Sequence, residues 1–324
     1  MIKKLLFCTL LFHGICHAQQ NAVKYYVDID EKPTTDEKKA RYQAVIYKLL
    51  DTDILWQREV YYKASGSPPL RSVGYCKDSM GLIKEGEYIY YSFPGKKETQ
   101  GKYKNNKKDG DWISWNSKGN ISAKFHYTDS IMTGANISWH ENGSVRDSCM
   151  LDETGTGRCK GYYDDGKFRY EGYYINGLKN GEWNYFYQTE VTQKSMTAVF
   201  SKDKMVKSNC FMEDGSLQTD SCIYEQEASF PGGQPAWVQY LSNALQRVQT
   251  NKYIAPGSRY QALIWFVIDK NGTVSEAKIE KPGIEKLDME AQRIIKKSPR
   301  WNPAIQYNQK VKAYRRQPIT FTLE

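Results

Sequence analysis

The stretch that decides the fold is Gly172-Tyr-Tyr-Ile-Asn-Gly-Leu-Lys-Asn-Gly-Glu-Trp183. A second copy, Gly101-Lys-Tyr-Lys-Asn-Asn-Lys-Lys-Asp-Gly-Asp-Trp112, lies 71 residues earlier, with Asn106 and Asp109 in place of a glycine and an asparagine. That separation is three periods of a longer pattern. Gly86, Gly110, Gly134, Gly157 and Gly181 follow one another at 24, 24, 23 and 24 residues. An aromatic stands five residues after each of them, at Tyr91, Trp115, Trp139, Tyr162 and Phe186. A second glycine follows nine residues after the first, at Gly95, Gly119, Gly143 and Gly166. Self-similarity at such a period marks a repeat architecture.

One unit reads as a strand starting at the first glycine, a tight turn at the second, and a return strand ending near Tyr103, Tyr127 or Tyr174. The pairs Asn105-Asn106, Asn142-Gly143, Asp165-Gly166 and Asn176-Gly177 suit turns that need positive φ. An isolated hairpin cannot bury its own aromatic face, whereas stacked copies can, each aromatic lying against its neighbour in the next unit. The pattern resembles the MORN repeats, and especially bacterial relatives in which Gly-x-Tyr-x-Asn-Gly-x-x-Asn-Gly-x-Trp recurs. The resemblance covers about a third of the chain and implies a binding or spacing surface, with no chemistry. The glycine expected next falls on Met205, so the array either degrades there or ends in a divergent cap over 205–215. Weaker strand signals at 44–50 and 54–62 read as lead-in strands.

Composition agrees with a strand-rich, exported protein. The 324 residues hold 25 Tyr, 8 Trp and 24 Gly, with 40% hydrophobic content. That excludes a disordered tail, and favours short strands and turns over helical bundles. Residues 1–18 carry a basic start, an apolar run of about twelve residues and Cys16-His17-Ala18 ahead of Gln19, the pattern of a cleaved secretory signal peptide. An uncleaved anchor or a lipid-modified Cys16 are the competing readings; the apolar run is short for a span. Cleavage takes Lys3 and Lys4 from a formal charge of +9, leaving +7. In a compartment without nucleic acid, that surplus reads as a solvated face or an attraction to an acidic partner. Five cysteines remain. Cys149/Cys159 and Cys210/Cys222 each bracket a glycine-containing turn and suit cross-strand disulfides, or else serve as small buried apolar residues, with Cys76 left over.

From residue 224 the period stops. Phe230-Pro231-Gly232-Gly233 is a rigid turn ahead of a short amphipathic helix with apolar residues at 237, 238, 241 and 245. Residues 261–269 are the most strand-like segment of the chain, and Lys270-Asn271-Gly272 turns them back into 273–279. Residues 287–297 form an amphipathic pattern with acids early and lysines late, as the helix dipole favours. Ile319, Phe321 and Leu323 alternate with threonines, the mark of a half-buried final strand. Trp301 reads as a core anchor.

This order resembles the C-terminal domain of TonB, in the form found in Bacteroidetes-type energy transducers. The resemblance rests on Phe230-Pro231-Gly232-Gly233, the stretch 253–256, Phe266-Val267-Ile268-Asp269 with Asn271-Gly272 and Val274, Leu287-Asp288, Pro299-Arg300-Trp301-Asn302-Pro303-Ala304, and Pro318-Ile319 with Phe321. Two departures are a missing glycine near Gln261-Ala262 and Lys281-Pro282-Gly283 in place of Ser-Ser-Gly. The fold expected is thus α+β: a signal peptide (1–18), lead-in strands (19–75), a MORN-like β-hairpin array (76–215) and a small TonB-type domain (224–324).

The resemblance implies a periplasmic domain that adds a short extended peptide of a TonB-dependent outer-membrane transporter to its sheet edge, supporting transport across that membrane. Residues 314–323 are the natural edge, because Pro318 cannot donate to a ladder. Tyr314, Arg315, Arg316, Gln317, Pro318, Ile319, Thr320 and Phe321 are the candidate partner-binding residues, the arginines facing acidic groups of the guest. The competing reading is a protected, aggregation-resistant edge. An intact N-terminus would add inner-membrane motor proteins as partners; a cleaved one leaves a binding protein unable to transmit inner-membrane energy itself. A homodimer is compatible with either. No catalytic or metal-binding residues and no cofactor are expected, since His126 and His140 sit at repeat positions without a nucleophile or metal-spaced partners. The rival role is an exported scaffold whose repeats bind an envelope partner.

Overall fold

A computed structural model describes residues 22–36, 38–48, 55–63, 67–93, 95–219, 222–280 and 282–323. The leader-like residues 1–18 lie outside the described residues. The chain forms two compact units, Met1–Gly157 and Arg158–Glu324.

The first unit contains β1 (Val23–Val27), β2 (Tyr42–Lys48), β3 (Trp56–Tyr62), β4 (Leu70–Cys76), β5 (Lys84–Ser92), β6 (Lys96–Lys104), β7 (Lys107–Trp115), β8 (Ile121–Thr128), β9 (Ile131–Trp139) and β10 (Val145–Leu151). They form an antiparallel meander in which strand order is chain order. The second unit continues with β11 (Gly157–Tyr162), β12 (Phe168–Ile175), β13 (Leu178–Phe186), β14 (Lys194–Ser201) and β15 (Lys204–Cys210), again in chain order. The strand pairs of 24-residue period are hairpins. Their two-residue turns require positive φ, met by Asn105 (51°) and Asn106 (70°), and by Asn176 (53°) and Gly177 (75°). Past Gly181 the array continues: Lys202 and Asp203 make the same positive-φ turn into β15, and a single bridge between Phe211 and Leu217 closes it.

The registers explain the motif. Between Glu171↔Asn184 and Tyr173↔Asn180, three residues of β13, Gly181 to Trp183, face the single residue Gly172 of β12. The same count holds between Gln100↔Ile113 and Lys102↔Asp109, where Gly110 to Trp112 face Gly101. Such a bulge needs a residue tolerant of positive φ, supplied by Gly110 (71°) and Gly181 (67°). It also folds the indole flat onto the opposing glycine. A Cβ on Gly101 would stand 2.2 Å from the Trp112 ring, and one on Gly172 2.0 Å from that of Trp183. The tyrosine two residues after that glycine meets the indole edge-on, Tyr103 at 5.0 Å and Tyr174 at 5.2 Å between centroids. Each indole Nε1–H donates to a main-chain carbonyl, Lys102 O at 3.1 Å and Tyr173 O at 3.2 Å. Lys108 and Lys179 lay their ammonium groups over the same two rings, at 4.5 and 4.4 Å.

The core aromatics are therefore those two residues after Gly86, Gly110 and Gly181, namely Tyr88 (1% exposed), Trp112 (3%) and Trp183 (1%), while buried Asn136 and Cys159 hold that place after Gly134 and Gly157. The aromatics five residues after each period glycine were expected to stack from unit to unit. The structure corrects this: Trp115 and Trp139 are half-buried and make no ring-to-ring contact among the described residues, although Phe168 lies between Tyr162 and Phe186, at 5.3 and 6.2 Å. The bulge is the physical reason, since it turns the residue two positions after the period glycine inward and leaves the later position at the rim.

Cys210 and Cys222 form a disulfide, Cα atoms 5.4 Å apart. Cys149 and Cys159 are also disulfide-bonded. Cys76 is free and buried, its Sγ 2.9 Å from the Tyr88 hydroxyl.

After β15 the second unit adds β16 (Glu225–Gln226), α1 (Gly233–Leu245), β17 (Arg259–Ile268), β18 (Val274–Ile279), α2 (Glu285–Lys296), β19 (Ala304–Gln306), β20 (Gln309–Val311) and β21 (Ala313–Thr322). Two three-stranded sheets result, β16-β19-β20 and β18-β17-β21. The core of this region joins Phe230, Trp237, Ile264, Phe266, Leu287, Ile295, Trp301, Ile319 and Phe321. Trp301 is 5% exposed within it, with Phe230, Trp237 and Phe266 rings at 5.3, 4.9 and 5.8 Å.

The residue expected to divide array from C-terminal module, near 216–228, lies inside the second unit. A hairpin not foreseen from the sequence joins the two parts. Its tip, Tyr307-Asn308, adopts positive φ at both residues. The Tyr307 ring stacks on Tyr185 at 4.1 Å, and Ser195 Oγ donates to the Tyr307 carbonyl at 3.0 Å. Gln309 Nε2 donates to the Phe186 carbonyl at 2.8 Å and Asn308 Nδ2 to Gln218 Oε1 at 2.7 Å.

Candidate functional site

β21 pairs with β17 over ten residues without a register shift, from Arg259↔Thr322 to Ile268↔Ala313. In an antiparallel pair, main-chain groups point alternately toward and away from the partner strand. Leu323 N donates to Ser258 O at 3.2 Å, so the odd-numbered residues face β17. Tyr314, Arg316, Pro318, Thr320 and Thr322 then direct their main chain outward. Pro318 sits where a missing N–H costs the ladder nothing. Among the described residues, no main-chain group outside β17 bonds to any of these five. Two outward carbonyls meet side chains only: Pro318 O accepts from Gln317 Nε2 at 2.9 Å and Thr322 O from Thr250 Oγ1 at 3.5 Å.

The side chains alternate by face as well. Ile319 and Phe321, each 1% exposed, are core residues, so their contribution to an edge site is through the backbone. Tyr314 is exposed and stacks on Trp265 at 5.4 Å. Arg315 donates to the Ala228 carbonyl, lies 3.6 Å from Glu227 and covers the Trp301 ring at 5.4 Å. It is thus held by its own chain. Arg316 pairs with Glu280 at 3.1 Å while two-thirds exposed, and remains the cation most open to a guest. Gln317 Oε1 accepts from the Trp237 indole at 2.9 Å, which fixes α1 against the strand.

Openings flank the edge. Near its C-terminal end a groove of about 530 Å³ is lined by Leu241, Leu245 and Val248 on one side and Thr320, Phe321 and Thr322 on the other. Toward its start, Tyr314 and Arg316 border a second opening of about 470 Å³ with Glu225 and Gln226. The α1 side of the groove and the Trp237–Gln317 bond were not anticipated. Their only sequence signal was the apolar spacing of α1, which reads equally well as packing alone.

The strand is positioned from beneath by α2. Asp288, 6% exposed, accepts from Gly283 N at 2.8 Å and from the Tyr260 hydroxyl, which itself accepts from Ile284 N at 3.1 Å. Burial, and then the hydrogen bond to Asp288, raise the Tyr260 hydroxyl above its ordinary range. Tyr260 opposes Phe321 across the β17–β21 ladder, so this buried network ties the helix start to the far end of the edge pair.

No helix among the described residues is long and apolar enough to cross a membrane. No curated protein matches the chain. Residues 261–323 match the family model described as Gram-negative bacterial TonB protein C-terminal, a match that runs from within β17 to just past the end of β21 and lies wholly outside the repeats. Domains of that family generally interact with outer-membrane TonB-dependent transporters, in energy-transducing transport. The C-terminal part of this chain, open edge included, is therefore similar over residues 261–323 to the TonB C-terminal domain.

Proposed function

We propose that the protein is a periplasmic, TonB-like binding protein, without chemistry of its own, that takes up an extended segment of an outer-membrane transporter as a fourth strand beside β21. The observation that carries this reading is the one-sided ladder of β21, whose outward main-chain groups at Tyr314, Arg316 and Thr320 meet no other backbone. A guest strand would supply the missing hydrogen bonds, and the groove beside Leu241 and Leu245 would take an apolar side chain at alternate positions. Arg316 would favour an acidic residue near the start of the edge. The MORN-like array then serves as the spacer that presents the domain, joined to it by the Tyr307 hairpin.

The test is capture of synthetic peptides from the N-terminal segments of TonB-dependent transporters on the immobilised full chain. The parent protein is expected to capture a subset of them, and Thr320→Pro to lose capture, because the new ring removes an outward N–H and blocks approach. Equal capture by both proteins would remove β21 from the account.

A further inference from the structure

The repeats carry an opening of their own, about 400 Å³, in the first unit, lined by Asn116, Asn120, Ile121, Lys124, Trp139 and Glu141 among others. Its lining includes an aromatic, Trp139, that the rest of the array would lead one to find covered. Trp112 and Trp183 are buried, with their N–H groups bonded to carbonyls and lysines over their faces. Trp115, one period before Trp139, has the ammonium of Lys97 at 4.8 Å from its ring. At the position 24 residues after Lys97 stands Ile121, which brings no cation. Among the described residues Trp139 has no ring partner, no cation over its face and no acceptor for its Nε1–H.

The polar groups around it are partly committed and partly free. Asn116 Oδ1 accepts from Lys118 N and Asn120 N, both at 3.0 Å, which fixes that amide and leaves its Nδ2 group as an unused donor. The Asn120 side-chain amide and the Lys124 ammonium have no partner among the described residues. Glu141 meets only Lys118, at 3.4 Å on the exposed surface. The site thus offers a half-buried aromatic platform, several amide donors, and one charge of each sign. Lys124 and Glu141 oppose one another in sign, so a ligand gains nothing from net charge. A molecule with one apolar face and a rim of hydroxyls satisfies both the indole and the amides. An all-equatorial pyranose has that shape, since its axial C–H bonds gather on the ring faces and its hydroxyls point outward.

We propose that this groove is a carbohydrate site, in which one ring of a β-1,4-linked, equatorially substituted oligosaccharide stacks on Trp139 while Asn116, Asn120 and Glu141 hold its hydroxyls. All these residues lie in the first unit, so the site stands or falls apart from the strand-edge reading.

The test is titration of the full chain with cellotetraose and with chitotetraose, followed by indole fluorescence and by saturation-transfer NMR. Saturable binding of at least one is expected. Trp139→Ala should weaken it by at least about tenfold and Asn120→Ala by about threefold. The Asn120→Ala protein should keep the parent's melting temperature, because that amide has no partner to lose; should Trp139→Ala fail to fold, Asn120→Ala and Lys124→Ala decide. Binding of chitotetraose alone assigns part of the recognition to the acetamido group, and binding of both assigns it to the ring face; either supports the site. Absence of saturable binding by both oligosaccharides, or binding unaltered in all the variants, overturns it.

Discussion

β13 and β21 are strands of similar length in the same compact unit, yet they end their hydrogen bonding differently. β13 lies between β12 and β14, with registers on both sides and a bulge that closes an indole over the neighbouring backbone. β21 has β17 on one side and openings on the other. Both are half-buried antiparallel strands built on alternation. What separates them is where the sequence puts its backbone-modifying residues. Glycines in the array let strands approach and cover one another, whereas Pro318 lies on the outward side of an edge that the chain leaves unpaired. The array is built to be complete, and the C-terminal sheet to be completed.

That contrast can be attacked from its strongest side first. Trp183→Ala removes a ring that is 1% exposed and packed on Gly172, Tyr174 and Phe200, and should cost about 3–5 kcal/mol in chemical denaturation. A loss under about 1 kcal/mol would mean the indole is a covering rather than a core. Next in size is Gly172→Ala, which sets a methyl group where the Trp183 ring lies and should cost about 1–3 kcal/mol with no change in peptide capture.

An alkaline limb follows from the buried tyrosines of the array. Burial, with the neighbouring thiol of Cys76 adding to it, holds the Tyr88 hydroxyl well above its ordinary value; burial, with the hydrogen bond to Tyr224, does the same for Tyr185. In the unfolded chain each ionises near pH 10, while in the folded chain each stays protonated. Their stabilising effect is therefore complete below about pH 10 and lost as pH rises beyond it, by about 1.4 kcal/mol per tyrosine at pH 11. Melting temperatures at pH 9 and pH 11 should show the drop, and Tyr185→Phe should reduce it. The smallest stability effect belongs to the edge. Thr320→Pro deletes an N–H that β17 does not use, so it should cost about 1 kcal/mol or less, whereas Ile319→Pro, which breaks the ladder, should cost about 3 kcal/mol or more.

Much of this was legible in the residues. The period glycines, the asparagine turns and the alternation of Ile319, Phe321 and Leu323 located hairpins and final strand because each reports a local constraint, positive φ or two-fold periodicity. Pro318 announced an edge for the same reason. The stacking expected of Trp115 and Trp139 was misjudged, and the inward place of Trp112 and Trp183 went unseen, because a bulge changes which positions face inward, and three residues facing one is a property of two strands together. The Tyr307 hairpin went unseen because β19 and β20 have three residues each, too few for a period, and are defined by what Tyr307 stacks on 122 positions away in sequence. The groove beside α1 was hidden likewise, since the spacing of Leu241 and Leu245 says that the helix has an apolar side without saying what leaves part of it open.

The central claim concerns the outward main chain of β21, and residue-resolved amide exchange of the full chain measures it directly. In the free protein the amides of Arg316 and Thr320 should exchange rapidly while those of Gln317 and Ile319 are protected; a saturating transporter N-terminal peptide should then protect Arg316 and Thr320. Protection of those two amides before any peptide is added, or no change in them at saturation, would contradict the account.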